Sequence, residues 1–344
     1  MHMADALISP AVGGTLWAAT AGLIGYSSRK VKQDMDDRRI PLMGVLGAFI
    51  FAAQMINFTI PGTGSSGHLG GGMILAILLG PAAGFLALAS VLTVQALFFA
   101  DGGLLSLGCN IFNLGFFPCF VAYPLVYKPI VRGRISQRRI VIGAVLSAVV
   151  GLQFGALGVV LETFFSRISD LPFATFLLLM QPIHLAIGIV EGLVTAAVVV
   201  FVWKARPEIL DRVGVPKAAG PPSFGKVLVA LLIAAVLTGG LLSWFASTHP
   251  DGLEWALSGS AGKGEFDPPK KTLYGWLAAF QQKTALLPDY GFRKSEKEDA
   301  SKDAWPAADP GTSLSGLLGG GLTLITLVLI GVLLTRRKKH HARH

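Results

Sequence analysis

Apolar residues in this chain fall in long unbroken runs, not in the alternation of a half-buried strand or the narrow stripe of a surface helix. About 20 apolar residues carry a helix across a hydrocarbon core of roughly 30 Å. The runs predict spans at 11–27, 42–57, 69–80, 82–100, 104–126, 140–164, 175–203, 227–246 and 314–334. The third is short and glycine-rich and is divided from the fourth by Gly80-Pro81. It reads as a half-helix or a segment buried in protein, because irregular backbone survives at membrane depth only away from lipid. The fold class expected is therefore an all-α polytopic membrane protein.

Composition agrees: 52% of the 344 residues are hydrophobic and 14% charged, against roughly 25% charged in soluble domains. The net charge of +9 does not point to nucleic acid, because no basic helix or aromatic-interleaved patch carries it. Lys and Arg collect in short segments between spans: Arg29 to Arg39, Lys128 to Arg139, Lys204 to Lys217 and the tail Arg336-Arg337-Lys338-Lys339. In a nine-span count all four fall on one side, and cytoplasmic loops are the ones enriched in these residues. The expected topology is a multi-pass protein of the plasma (cell inner) membrane, N-terminus outside and C-terminus cytoplasmic. The start, Met1-His2-Met3-Ala4-Asp5, has no basic n-region or small-residue cleavage site, so a removable signal peptide is not expected. Cys109 and Cys119 match neither a CxxC pair nor a disulfide framework and read as packing residues.

The chain divides in two. A first part covers 1–205; a proline- and glycine-rich stretch at 206–226 reads as a cytoplasmic linker. Residues 227–335 form two spans flanking an external polar segment at about 247–313, and 336–344 is a basic cytoplasmic tail.

Ionisable groups inside the spans are few, and each is a functional candidate by default. They are His184 and Glu191, accompanied by the polar Gln54, Gln95, Asn110, Asn113 and Gln153. Neither HExxH nor GxxxxGK[ST] occurs, so an intramembrane zinc hydrolase and a phosphate loop both lack their signatures. No catalytic residue and no permanently bound cofactor are expected. What remains is a pair of imidazoles on the outer side, His2 and His68, the second in the run Gly62-Thr63-Gly64-Ser65-Ser66-Gly67-His68. A free amine at Met1, the peptide nitrogen of residue two and Nδ1 of His2 can close two chelate rings around one cation. His68 would supply the fourth corner of a square plane, the geometry of tetragonal nitrogen sites for Ni²⁺ or Cu²⁺. Spacing alone leaves other readings open: a purification scar or solvated imidazole at His2, and turn or helix-contact glycines around His68.

Four segments carry a resemblance to a known family. Met1-His2-Met3-Ala4-Asp5-Ala6, Ile60-Pro61-Gly62-Thr63-Gly64-Ser65-Ser66-Gly67-His68-Leu69, Gly108-Cys109-Asn110-Ile111-Phe112-Asn113-Leu114-Gly115 and His184-Leu185-Ala186-Ile187-Gly188-Ile189-Val190-Glu191-Gly192 resemble the CbiM/NikM substrate-binding subunits of energy-coupling-factor transporters. His249-Pro250-Asp251-Gly252-Leu253-Glu254-Trp255 resembles the companion CbiN/NikN subunit. The resemblance implies a fusion: a seven-helix S-component bundle whose N-terminal segment tucks inward, followed by a two-helix hairpin with an extracytoplasmic domain.

It also implies metal ligands at Met1, His2 and His68, transported Ni²⁺ or Co²⁺, and three partners: a transmembrane coupling subunit and two cytoplasmic ATPase subunits. ATP hydrolysis would belong to those partners, so no enzyme activity is expected of this chain. Asn110 and Asn113 are candidates for hydrogen bonds that fix the His68 loop, or for amides bridging helices. His184 and Glu191, on one helical face, are candidates for a buried pair or a contact to the coupling subunit. Cobalt uptake for cobalamin synthesis, an ATP-independent metal carrier and a sensor are the alternatives.

Overall fold

The computed structural model describes residues 2–34, 39–133, 135–210, 224–262, 266, 272–292, 306 and 308–341. A helix stands at each of the nine runs. α1 is Pro10–Asp34 and α2 Ile40–Gln54; α3 is Gly72–Leu79, α4 Pro81–Phe99 and α5 Leu107–Val131. α6 is Gln137–Ser166, α7 Phe173–Ala205 and α8 Phe224–Gly240. α9 (Gly252–Ala261) and α10 (Thr272–Thr284) belong to the external segment, and α11 is Pro310–His341. Among the described residues five helices are long and apolar enough to cross a membrane: α4, α5, α6, α7 and 310–335 of α11. Ile40–Gln54 and Gly225–Gly240 are apolar but shorter.

The third run is the half-helix its length suggested. All eight residues of α3 are buried, so its free backbone ends meet protein and not lipid. Gly71 before it has φ +76° and Gly80 after it φ +90°, angles that only glycine adopts at little cost. Pro81 then opens α4, where its missing N–H removes nothing. In α5 the turns widen to a π-type spacing across Phe112–Tyr127, which contains Pro118 and Pro124. Each proline withholds an N–H and crowds the carbonyl one turn back, and wider turns relieve both effects.

Small residues set the closest helix contacts, as expected where lipid gives helices no hydrophobic reason to associate. A Cβ on Gly192 of α7 would meet the Val145 backbone of α6 at 2.5 Å, and one on Gly316 of α11 would meet the Gly239 carbonyl of α8 at 2.4 Å. The α8–α11 hairpin leans on α2, where a Cβ on Gly47 would strike Leu327 at 2.1 Å. Leu125, Phe165, Leu178, Leu193, Leu329 and Leu333 point outward, which suits contact with acyl chains.

Among the described residues the structure adds one short hairpin to the expected all-α pattern. The uncharged outer loop contains an antiparallel hairpin, β1 (Phe58–Ile60) and β2 (Ser65–Gly67), with Thr59 opposite Ser66. Its three-residue strands carry too few side chains for an alternating pattern to show in sequence. Ser66 makes a parallel bridge to Asp251, giving the Pro250 carbonyl its N–H at 2.8 Å and the His249 carbonyl its hydroxyl at 2.8 Å. The Pro-Asp-Gly-Leu-Glu signature is thereby explained. Pro250 offers the carbonyl; Asp251 caps α9 by accepting the N–H groups of Leu253 and Glu254 at 2.8 Å; Glu254 returns a bond to the Asp251 N–H at 3.1 Å. This is a capping box. A Cβ on Gly252 would crowd Ile187 at 3.1 Å and the His184 ring at 3.3 Å. Residues 211–223 of the expected linker, and much of 263–307, lie outside the described residues.

Candidate metal centre

The N-terminal segment turns inward. Met3 and Ile8 have no exposed surface, and Ala6 and Leu7 are buried. The Met3 N–H donates to Oδ1 of Asn110 at 2.9 Å, and the Met3 carbonyl accepts from Nδ2 of Asn110, the Gly103 N–H and the Ser106 hydroxyl. Asp5 Oδ1 accepts the Ser106 N–H at 2.9 Å. Gly103 has to be glycine here: a Cβ would fall 1.9 Å from the Asp5 carboxylate and 2.5 Å from its backbone nitrogen. These bonds place His2 beside Asp101, with Nδ1 2.7 Å from Oδ1. An ionised carboxylate only accepts, so the His2 Nδ1 carries the proton. Nε2 of His2 is buried and, among the described residues, has no hydrogen-bond partner.

His68 arrives from the other direction, just past β2. Its Nδ1 faces the Leu69 carbonyl at 3.1 Å, which fixes the proton on Nδ1 and leaves the lone pair on Nε2. The next peptide is clamped from two sides. Glu191 accepts the N–H groups of Gly70 and Gly71 at 2.8 and 3.1 Å, and Gln54 donates to the Gly70 carbonyl at 2.8 Å. The two rings meet with centroids 5.0 Å apart and planes at 36°.

Burial keeps His68 neutral by lowering its pKa to about 3. Burial alone would raise Asp101, but the His2 ring and a hydrogen bond from Tyr290 hold it at about 2. Asp251 is likewise kept below the usual carboxylate range, against its burial, by positive charge across the pocket and by the hydrogen bond from the Glu254 N–H. Burial and the Asp101 charge push Tyr290 well above the ordinary phenol value, so its hydroxyl stays a donor.

Of the expected site residues, His2 and His68 come together; Met1 lies outside the described residues. Asn110 holds the N-terminal segment and not the His68 loop, and Asn113 donates to Glu162 at 2.8 Å, bridging α5 and α6. His184 and Glu191 do not pair. The Nδ1 of His184 bonds the Met180 carbonyl at 2.8 Å, while Glu191, two turns along, is spent on the Gly70 and Gly71 amides. Glu191 therefore joins Gln54 in fixing the His68 loop. The His2 ring also differs from the chelate drawn from sequence, since its Nδ1 faces Asp101.

Asp101, Asp251 and Tyr290 escaped the sequence reading as contributors to the site, and Gln54 stood in it only as a polar residue within a span. Asp101 stands in a turn at the end of a span, where an acidic residue reads as topology. Among the described residues no three His, Cys, Asp or Glu side chains converge as a cation cage would.

The second unit reaches both sides of this centre. Tyr274 donates to the Ile8 carbonyl at 2.9 Å, Gln281 to the Gly102 carbonyl at 2.8 Å, and the Ser247 N–H to the Asn57 carbonyl at 2.7 Å.

Comparison with known proteins gives two family matches. The cobalt uptake substrate-specific transmembrane region (CbiM) matches residues 2–209, and the PDGLE domain matches 225–336. The fused nickel transport protein NikMN of Rhodobacter capsulatus is 33% identical over 311 residues, covering 84% of this chain and 88% of that protein. The cobalt transport protein CbiM of Geobacter sulfurreducens is 29% identical over 259 residues, 70% and 72% of the two chains. A solved structure described as a truncated transition metal transporter superposes with a TM-score of 0.53 at 29% identity, over 59% of this chain and 99% of that one.

Proposed function

Because this chain belongs to the CbiM family of cobalt uptake substrate-specific transmembrane proteins, with a PDGLE domain behind it, we propose that it is the substrate-binding subunit of an ATP-driven importer for Ni²⁺, with Co²⁺ as the runner-up. It is in any case a multi-pass membrane subunit for nickel or cobalt uptake. Its ligands in this reading are the Met1 amine, the His2 peptide nitrogen and imidazole, and His68. The observation that carries the reading is the packing of the His2 and His68 rings at 5.0 Å, at the end of an N-terminal segment drawn into the protein. Nickel is favoured because four nitrogens in a plane suit it better than a tetrahedral or octahedral ion.

The metal arrives from the outer side as substrate and displaces protons from the amine and the peptide nitrogen. His68 needs no deprotonation, since its lone pair already sits on Nε2. The PDGLE segment beside Ser66 and the α10 contacts to Ile8 and Gly102 close the two loops over the site. A separate coupling subunit and two ATPase subunits supply the inward step.

Titration of the purified full chain with Ni²⁺ and Co²⁺ tests the reading. Wild type should bind with a planar-nickel absorption band, and a chain extended by one residue before Met1 should lose it. Unchanged binding by the extended chain would remove the amine from the ligand set. Uptake by cells that lack the partner ATPases would favour an ATP-independent carrier.

A further inference from the structure

A chelate closed by His2 with its own peptide nitrogen has to use Nδ1, because Nε2 lies too far along the ring to complete a six-membered cycle. In the structure that same Nδ1 is 2.7 Å from Asp101 Oδ1. The two arrangements exclude each other, so loading requires the ring to turn about Cβ–Cγ and leave the carboxylate.

Asp101 does not stand alone. Its other oxygen, Oδ2, accepts the hydroxyl of Tyr290, which belongs to the second unit. Tyr290 stacks on Phe99 with centroids 5.2 Å apart and planes at 17°, and meets Phe51 edge-on at 6.3 Å. The Leu286 and Leu287 N–H groups both reach the Phe98 carbonyl, and Gln281 spans the Ala96 and Gly102 carbonyls at 2.9 and 2.8 Å. The turn of one unit and the loop of the other are thereby joined along their length.

Backbone angles mark the same contact. Asp289 and Tyr290 have φ +52° and +58°, and Ala100, next to Asp101, has φ +56°. Non-glycine residues in this region are strained, and such strain gathers where the surroundings fix a functional position. Three of the four described non-glycine residues with positive φ flank this one hydrogen bond.

We propose that Asp101 is a positioning residue that holds the His2 ring in its unloaded orientation, and that Tyr290 of the second unit sets how readily Asp101 releases it. When the ring turns, its proton moves to the other nitrogen, Nδ1 takes the metal, and Asp101 keeps the Tyr290 hydroxyl as donor. The phenol thus spares a buried carboxylate from losing both partners. Without it, the carboxylate would hold His2 harder. This inference rests on the nitrogen site proposed above.

The test is a double-mutant cycle on the full chain, read by Ni²⁺ affinity and association rate. Replacing a charge-assisted hydrogen bond by a neutral one about halves its strength, so Asp101→Asn should bind Ni²⁺ about 5-fold tighter and load faster. Tyr290→Phe should bind about 3-fold more weakly, and the double variant should match Asp101→Asn, because Tyr290 acts through Asp101. Asp101→Ser replaces Asn if that variant does not fold. Weaker binding by the uncharged variants would overturn the proposal, since it would make Asp101 a support for a ring that ligates through Nε2. A Tyr290→Phe effect that persists without the carboxylate would also overturn it. Nitrogen-15 spectra of the imidazole give an independent readout: Nδ1 should carry the proton without metal and lose it in the diamagnetic nickel complex. Should wild type bind neither Ni²⁺ nor Co²⁺, the proposed function itself fails; should it bind with no shift in the variants, only this inference does.

Discussion

The two imidazoles of the centre are held by different kinds of bond. His68 sits in a loop whose main chain is fastened on three sides: the Gly70 and Gly71 amides to Glu191, the Gly70 carbonyl to Gln54, and Ser66 to Pro250. The His2 backbone is tied down at Met3, but among the described residues its ring is hydrogen-bonded to one side chain, Asp101. Main-chain clamps break only with the local fold, whereas a side-chain bond can be exchanged for another ligand. The centre therefore pairs a fixed half with an exchangeable half, which is what a site that loads and unloads a cation requires.

Removing the fixed ligand should have the largest effect. His68→Ala is expected to weaken Ni²⁺ binding more than about 100-fold, beyond the 10–100-fold range usual for residues that only orient ligands; titration of the purified chain decides it. Next comes the clamp. Glu191→Ala leaves two buried N–H groups without an acceptor, at about 1–3 kcal/mol each, so affinity should fall about 10–100-fold with a lower melting temperature. If affinity survives that change, the fixed half is not fixed by Glu191.

Smaller effects belong to the contacts from the second unit. Ser66→Ala loses the bond to the His249 carbonyl, worth about 1 kcal/mol, and hydrogen exchange at Leu253 and Glu254 should rise by about 5-fold. Tyr274→Phe loses the bond to Ile8 and should loosen the N-terminal segment to a similar or lesser degree, visible as faster exchange at Leu7 and Ile8.

The smallest effect is a predicted absence of change in pH dependence. Affinity should fall as pH drops below the typical α-amine value of about 8, because the metal must displace that proton. His68, with its pKa depressed to about 3, is already neutral across this window and contributes no proton to be displaced. His68→Ala should therefore bind more weakly at every pH with the same slope of log K against pH between about 6 and 8. A flatter slope in the variant would mean that His68 is protonated before loading.

Much of this was legible in the chain, and the reasons differ by residue. The spans could be read because a bilayer demands apolar length, and α3 could be read as a half-helix from its glycines and Pro81. His2 and His68 stood out because imidazoles are scarce and both fell on one side of the expected topology. Asp101 did not, since its partner is 99 positions away and nothing local distinguishes a clamp from a solvated turn. Glu191 was noticed as a buried charge, but its job could not be: an acceptor for main-chain N–H groups leaves no mark on the sequence of its partner loop. Tyr290 read as an aromatic in a polar segment, and its left-handed backbone is visible only in three dimensions.

The segment bridged to Ser66 comes from Pro250, 184 positions downstream. In one chain this pairing is an intramolecular event, favoured by the effective concentration that a covalent link supplies. Severing the polypeptide between 211 and 223 would turn it into a bimolecular association, and the exposed edge of β2 would become a docking rail for any peptide able to add a strand. Closure over the metal would then depend on the abundance of the detached half.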